Sequence, residues 1–296
     1  MLKDSIHGFC MALADSVPGV SGGTVAFIMG FYDQFIGFIY RFVFGGMKEK
    51  KKAFRYLFRL GIGWVVGMIL AVLLLSALFE SHIYAVSSLF VGFIAGSIPL
   101  ILKDEKESFR QVEKGILFFA LGCLLVVVIT WLNGHIGTQS MDLSHFSIGI
   151  GIKLFLIGMV AISAMFLPGI SGSTLLLIFG AYIPVITAIR GFLGLQLGYL
   201  PALMFFGFGV LCGAVSVVRG IQFCLKRYRV QSVYTILGMM VGSFYAIVMG
   251  PTTLANAQPA MGIGSFRILF ALIGIGLVLG MQKLREKNEV VVRAGA

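Results

Sequence analysis

The chain has 296 residues, 58 % of them apolar and only 12 % charged, with a mean hydropathy of +0.99. Soluble domains carry about 25 % charged residues, so this chain cannot cover itself with polar surface, and lipid must be its solvent. Its net charge of +11 does not mark a nucleic-acid partner, because the basic residues sit between apolar runs, where they report topology and affinity for anionic lipid.

The first element is an interrupted apolar segment, about residues 4–41. Its core, Asp15 to Tyr32, reads DSVPGVSGGTVAFIMGFY, and the N-terminal run ends in this motif rather than in a signal-peptide cleavage site. A basic stretch follows, with Arg41, Lys48, Lys50, Lys51, Lys52, Arg55 and Arg59 against Glu49. By the positive-inside rule it is expected in the cytoplasm. Three runs then approach the ~20 residues of a spanning helix: Leu60 to Phe79, Ile83 to Leu102 and Gly115 to Leu132. Glu80 to His82 has no Lys or Arg and is expected outside. Lys103 to Lys114 is basic and expected inside, and Asn133 to Ser147 is expected outside.

A second interrupted segment, about residues 148–190, contains Met165 to Tyr182, MFLPGISGSTLLLIFGAY. It repeats the first at an offset of 150 (Pro18 to Pro168): Ser21 answers Ser171, Thr24 answers Thr174, Gly30 answers Gly180 and Tyr32 answers Tyr182. Three more runs follow, Leu200 to Val218, Val233 to Met249 and Phe266 to Met281. Arg219 to Arg229 and the Lys283/Arg285/Lys287 tail are expected inside, and Pro251 to Ser265 outside. The repeat continues into the spans at an offset of 146. Gly61, Gly63 and Gly67 answer Gly207, Gly209 and Gly213, and Gly92 and Gly96 answer Gly238 and Gly242. Such glycines read as packing devices between membrane helices.

The loop charges agree with one another only if each interrupted segment enters and leaves on one side. The expected fold is therefore an all-α polytopic membrane protein of two inverted repeats, residues 1–146 and 147–296. Each is a re-entrant helical hairpin plus three transmembrane helices, together forming one membrane domain with both termini cytoplasmic. Interrupted segments at matching places in two halves are the sequence pointer to a transporter's binding site.

The chemistry follows from the residue types. Pro18 and Pro168 break a helix by removing a donor. Gly19 and Gly169 permit unusual backbone angles. Helices restarting at Ser21, Gly22, Gly23 and Thr24, and at Ser171, Gly172, Ser173 and Thr174, point backbone N–H groups and hydroxyls at the break, which suits an anion such as phosphate. The bland alternative is a kink whose Ser and Thr cap their own helix. Asp15 is an acid in an apolar stretch and a candidate for coupling, or a cap for local N–H groups. Asp33 is a second coupling candidate, or a partner for Arg41. Arg190 and Arg219 are candidate phosphate cations. The four histidines and Cys10, Cys123, Cys212 and Cys224 lack metal-ligand spacing, and the cysteines read as buried packing residues. No catalytic His/Asp/Glu constellation, Walker-type loop, metal or cofactor motif is present.

The paired runs MALADSVPGVSGGTVAFIMGFYD and PGISGSTLLLIFGAY resemble the bacterial polyprenyl-phosphate translocase family over essentially the whole chain. The resemblance implies a bacterial plasma-membrane flippase that returns undecaprenyl phosphate from the outer to the cytoplasmic leaflet. Its partners would be the polyprenyl-phosphate lipid, the membrane and a coupling proton or sodium ion. Read from the residues alone, a permease or channel for a small soluble anion stands as the alternative, and a lipid-modifying enzyme has no supporting residues.

Overall fold

A computed structural model describes residues 2–15, 21–70, 76–135, 147–170, 172–193, 195–253 and 258–280. Among them there is helix and no strand, as expected where backbone groups in lipid must be satisfied within their own segment. The first half contains α1 (Leu2–Asp15), α2 (Gly22–Ile28), α3 (Tyr32–Phe44), α4 (Met47–Leu70), α5 (Ser76–Asp104), the single turn α6 (Lys106–Phe109) and α7 (Val112–His135). The second contains α8 (Ile148–Phe166), α9 (Gly172–Ile178), α10 (Tyr182–Leu193), α11 (Leu200–Arg227), α12 (Arg229–Met249) and α13 (Ile268–Gly280). Among the described residues, six helices are long and apolar enough to cross a membrane. The outer face of α4 shows why: Phe54, Phe58, Ile62, Val65 and Ile69, three or four residues apart, are all exposed.

Two boundaries differ from the sequence expectation. Most of the basic stretch before Leu60, from Lys48 to Arg59, is not a loop but the first turns of α4, because Lys and Arg are good helix formers. The boundary expected at Glu80 to His82 is present as a kink in α5, with non-helical angles at His82 (φ −137°, ψ 34°), where the candidate span begins. The incoming arm of the second interrupted segment, α8, has 19 residues and is long enough to span alone, whereas its counterpart α1 has 14.

The glycine echoes are packing contacts, and they correspond between halves residue for residue. A Cβ on Gly63 of α4 would overlap the Ser5 carbonyl of α1; a Cβ on Gly209 of α11 would overlap the Phe155 carbonyl of α8. Gly8 of α1 is pressed in the same way against Leu60, and Gly158 of α8 against Phe206. The next helices exchange partners. Gly92 of α5 lies against Ala271 of α13, while Gly238 of α12 lies against Phe119 of α7. Gly274 reciprocates against Leu89, and Gly122 against Thr235. Each half thus packs its own hairpin arm on its first span and lends its last helix to the other half. The halves interlock into one body, with α12 the most enclosed of the candidate spans and α7 the least.

The echoes differ in one respect: Cβ atoms on Gly61 and Gly207 would meet nothing within 4 Å. Gly63→Leu and Gly209→Leu are therefore expected to cost at least ~1–3 kcal/mol of packing and to lower the thermal midpoint in detergent. Gly61→Leu and Gly207→Leu are expected to leave it unchanged. Melts followed by size-exclusion fluorescence check both pairs.

Candidate functional site

The two interrupted segments meet. After α8 the chain leaves the helix at Leu167 and turns through Pro168 and Gly169 before α9 begins. Gly169 has φ +87°, and a Cβ there would meet the Met239 carbonyl at 2.7 Å and Ser243 Oγ at 2.6 Å on α12. Only glycine satisfies both the angle and the space. This buried, non-helical run of backbone must find partners inside the protein, and the first segment supplies them. Gly169 N–H donates to Thr24 Oγ1 at 2.8 Å and to Ser21 Oγ at 3.2 Å. Ser21 Oγ donates to the Leu167 carbonyl at 3.2 Å, and Tyr32 OH donates to the Phe166 carbonyl at 2.9 Å. Ser21, Thr24 and Tyr32 are each 2 % exposed or less.

Ser21 also caps α2. It is extended (φ −130°, ψ 150°) and its Oγ accepts from Thr24 N–H at 3.3 Å. Gly23 lies against the Phe166 and Leu167 backbone, so its missing side chain serves the approach of the opposite break. Both short helices end alike. Gly30 (φ +71°) and Gly180 (φ +64°) take the left-handed angle; Phe31 N–H then bonds Ala26 O at 3.0 Å, and Ala181 N–H bonds Leu176 O at 2.8 Å. The chain from α2 into α3 bends by 119°.

The two tips differ in charge. Asp15 Oδ1 accepts from Gly22 N–H at 2.6 Å, and Oδ2 accepts from Trp64 Nε1–H at 3.0 Å. The first tip thus already has a carboxyl group on its Gly22 amide, the capping role foreseen as one reading of Asp15. At the second tip, Met165 stands where Asp15 stands in the first: a Cβ on Gly172 would run into its side chain. Thr174 is half-buried and Gly172 buried. Pro18, Gly19 and Ser171 lie outside the described residues, as do the side chains of Ser173 and Arg190.

Two charged candidates sit elsewhere than expected. Arg219 is exposed on α11 with its guanidinium 5.8 Å from the Phe44 ring centre. Asp33 pairs not with Arg41, which lies over Phe38, but with Arg229 at the start of α12. Asp33 and Arg41 are eight residues apart on one helix, about 12 Å along its axis, whereas α12 brings Arg229 directly alongside. Arg229 also donates through Nε and Nη2 to Glu105. This triad lines a polar cleft of about 300 Å³ together with Tyr32 and Asp104. Sequence reading counted Arg229 only as a loop charge; nothing local signals that two acids from distant elements converge on it. Cys212 and Cys224, expected to be buried, are exposed free thiols on α11.

The comparisons with known proteins agree on one family. A family model described as undecaprenyl phosphate translocase-like matches residues 11–264. A Staphylococcus aureus protein named polyprenyl-phosphate transporter is 37 % identical over 292 residues, covering 96 % of this chain and 97 % of that protein. A Vibrio cholerae protein of the same name is 29 % identical over 321 residues, covering 97 % of each. No solved structure matches.

Removing one member of the crossing leaves buried partners unpaired. Thr24→Val keeps shape but deletes the nearer acceptor of Gly169 N–H, and is expected to cost about 1–3 kcal/mol; Thr24→Ser should restore most of it. Asp15→Ala strips the partner from both Gly22 N–H and Trp64 Nε1–H and should destabilise more than Asp15→Asn, which keeps one acceptor. Thermal midpoints of the four variants check the order.

Proposed function

The chain belongs to the undecaprenyl phosphate translocase-like family, and from that premise we propose that it is a flippase for a polyprenyl phosphate in the bacterial cell membrane. It would return the lipid from the outer to the cytoplasmic leaflet. The relatives that share its full length are named as transporters of polyprenyl phosphate, not as enzymes. The observation that carries the reading is the crossing of the two segments: hydroxyls of the first half meet an amide and a carbonyl of the second at one buried point.

A phosphate headgroup cannot pass hydrocarbon without partners for its charge. At the crossing it would take over bonds that the breaks now make to each other. Ser21 and Thr24 would turn from Leu167 and Gly169 to the phosphate, joined by the Gly169 amide and by Gly172, Ser173, Thr174 and Ser171 of the second tip. That tip has no carboxylate equivalent to Asp15, so the second half is the better acceptor. Repeats 1–146 and 147–296 inverted in the membrane would offer this site to each side in turn. The residue-for-residue echo of their glycine contacts supports that arrangement.

On the cytoplasmic side, inferred from the Lys and Arg of residues 103–114 and 219–229, the polar cleft offers Arg229 as the phosphate's next partner. The headgroup would replace Asp33 on the guanidinium and later be replaced by it. Of the two acids singled out in the sequence, Asp33 would then sense headgroup release, and coupling to protons or sodium would enter there.

Transfer of a fluorescent prenyl phosphate between leaflets of proteoliposomes tests the function. Protein-dependent transfer is expected, competed by unlabelled prenyl phosphate and not by inorganic phosphate, and lost in Ser21→Ala/Ser171→Ala. Equal competition by inorganic phosphate would instead establish a small-anion permease. Arg229→Gln is expected to slow transfer about ten- to a hundredfold, the worth of one charge-assisted hydrogen bond, with Arg229→Lys intermediate.

A further inference from the structure

An apolar cavity of about 590 Å³ adjoins the crossing, within the ~300–1,000 Å³ typical of small-molecule sites. Its inner wall is made by Tyr32 and Leu167, two residues of the breaks themselves, and by Met239, whose carbonyl backs Gly169. It runs along α12 from Met239 to Tyr228, roughly 16 Å of helix. Tyr32 is also a wall of the polar cleft that holds Arg229.

On its other side the cavity opens to the outside of the helix bundle. α7 and α11 both pack on α12, and the cavity occupies the space between them. Phe118 of α7 is 38 % exposed and Tyr228, just after α11, is 49 % exposed; Gly220 and Cys224 of α11 are exposed and line it as well. A Cβ on Gly220 would meet no atom within 4 Å.

We propose that this cavity seats the isoprenoid chain of the transported lipid: the units nearest the phosphate enter sideways between α7 and α11 and lie against α12, while the headgroup engages the crossed breaks. The inference rests on the substrate reading above. The occupant follows from continuity. A ligand whose anionic end sits at Leu167 and Gly169 has this cavity beside it, and an apolar chain there reaches the outside along a wall that is mostly apolar, with Gln231, Ser232 and Thr235 on its α12 side. Bulk phospholipid chains could fill any lipid-facing crevice, but only a lipid whose phosphate is anchored at the breaks would hold its chain here against exchange.

Two measurements on the full chain test it. In a variant keeping Cys224 and Cys212 but lacking Cys10 and Cys123, a prenyl phosphate should slow maleimide labelling of Cys224 about tenfold. Cys212, which does not line the cavity, should be unaffected, and neither inorganic phosphate nor a phosphatidylglycerol vesicle should protect Cys224. Gly220→Phe, which fills open space, should keep the wild-type thermal midpoint and lose about tenfold in prenyl-phosphate transfer, as expected when a few CH₂ groups lose their burial. Gly220→Ala should stay close to wild type. If the wild type transfers prenyl phosphate while Cys224 is unprotected and Gly220→Phe is fully active, the chain lies elsewhere and the proposal is overturned. Equal protection by phosphatidylglycerol overturns it too, because the cavity is then a general lipid crevice. Failure of the wild type to transfer any prenyl phosphate is a separate result: it removes the substrate reading, and this inference with it.

Discussion

A helix broken inside a membrane protein leaves amides and carbonyls that only the protein can satisfy. Here the first segment satisfies the break in the second. The carbonyls of Phe166 and Leu167 and the amide of Gly169 are taken by Tyr32, Ser21 and Thr24, so the second interrupted segment is not complete alone. The bend after α2, the close approach of Gly23 to Leu167 and the seating of Gly169 on α12 all serve this contact. It also ties the site to the architecture. Hydroxyl–amide bonds of this kind are worth little net while made and are costly when broken without replacement.

The pairing of halves is nearly even in packing and uneven in charge. Glycines at equivalent places press equivalent helices together, and α7 and α13 are exchanged between halves. Backbone contact this close leaves no room for independent drift, so relative movement would involve the short helices and their left-handed glycines rather than the long spans. Against that near-symmetry, Asp15 fills the first tip and Met165 the second. One tip carries a carboxyl group of its own and the other a thioether side chain in its place.

Tyr32 is where these features join. Its hydroxyl holds the opposite break, its ring separates the polar cleft from the apolar cavity, and the next residue, Asp33, holds Arg229. An amphiphile with a phosphate head and an isoprenoid tail needs a charged and an apolar surface side by side, and this residue lies between the two. Tyr182, its counterpart in the repeat, is exposed, so the second half does not duplicate the arrangement.

Much was legible in the sequence because it depends on local periodicity and composition. Apolar run lengths place the spans, the two copies of Pro-Gly-x-Ser-Gly place the breaks, and the echo of small residues marks the helix faces that pack. The all-helical membrane class and the pairing of the two segments follow from these alone. What the amino-acid string could not decide are contacts between residues 120 to 200 positions apart. Ser21 and Thr24 look like donors awaiting a ligand until the fold brings Leu167 and Gly169 against them. Asp33 looks like a partner for Arg41 until α12 delivers Arg229. The apolar cavity exists only because α7 and α11 both lean on α12 without closing on each other. Hydrogen-bonding capacity belongs to a residue and can be read from its type. Whether that capacity is spent on the protein or kept for a substrate depends on which distant backbone arrives beside it, and only the tertiary structure decides that.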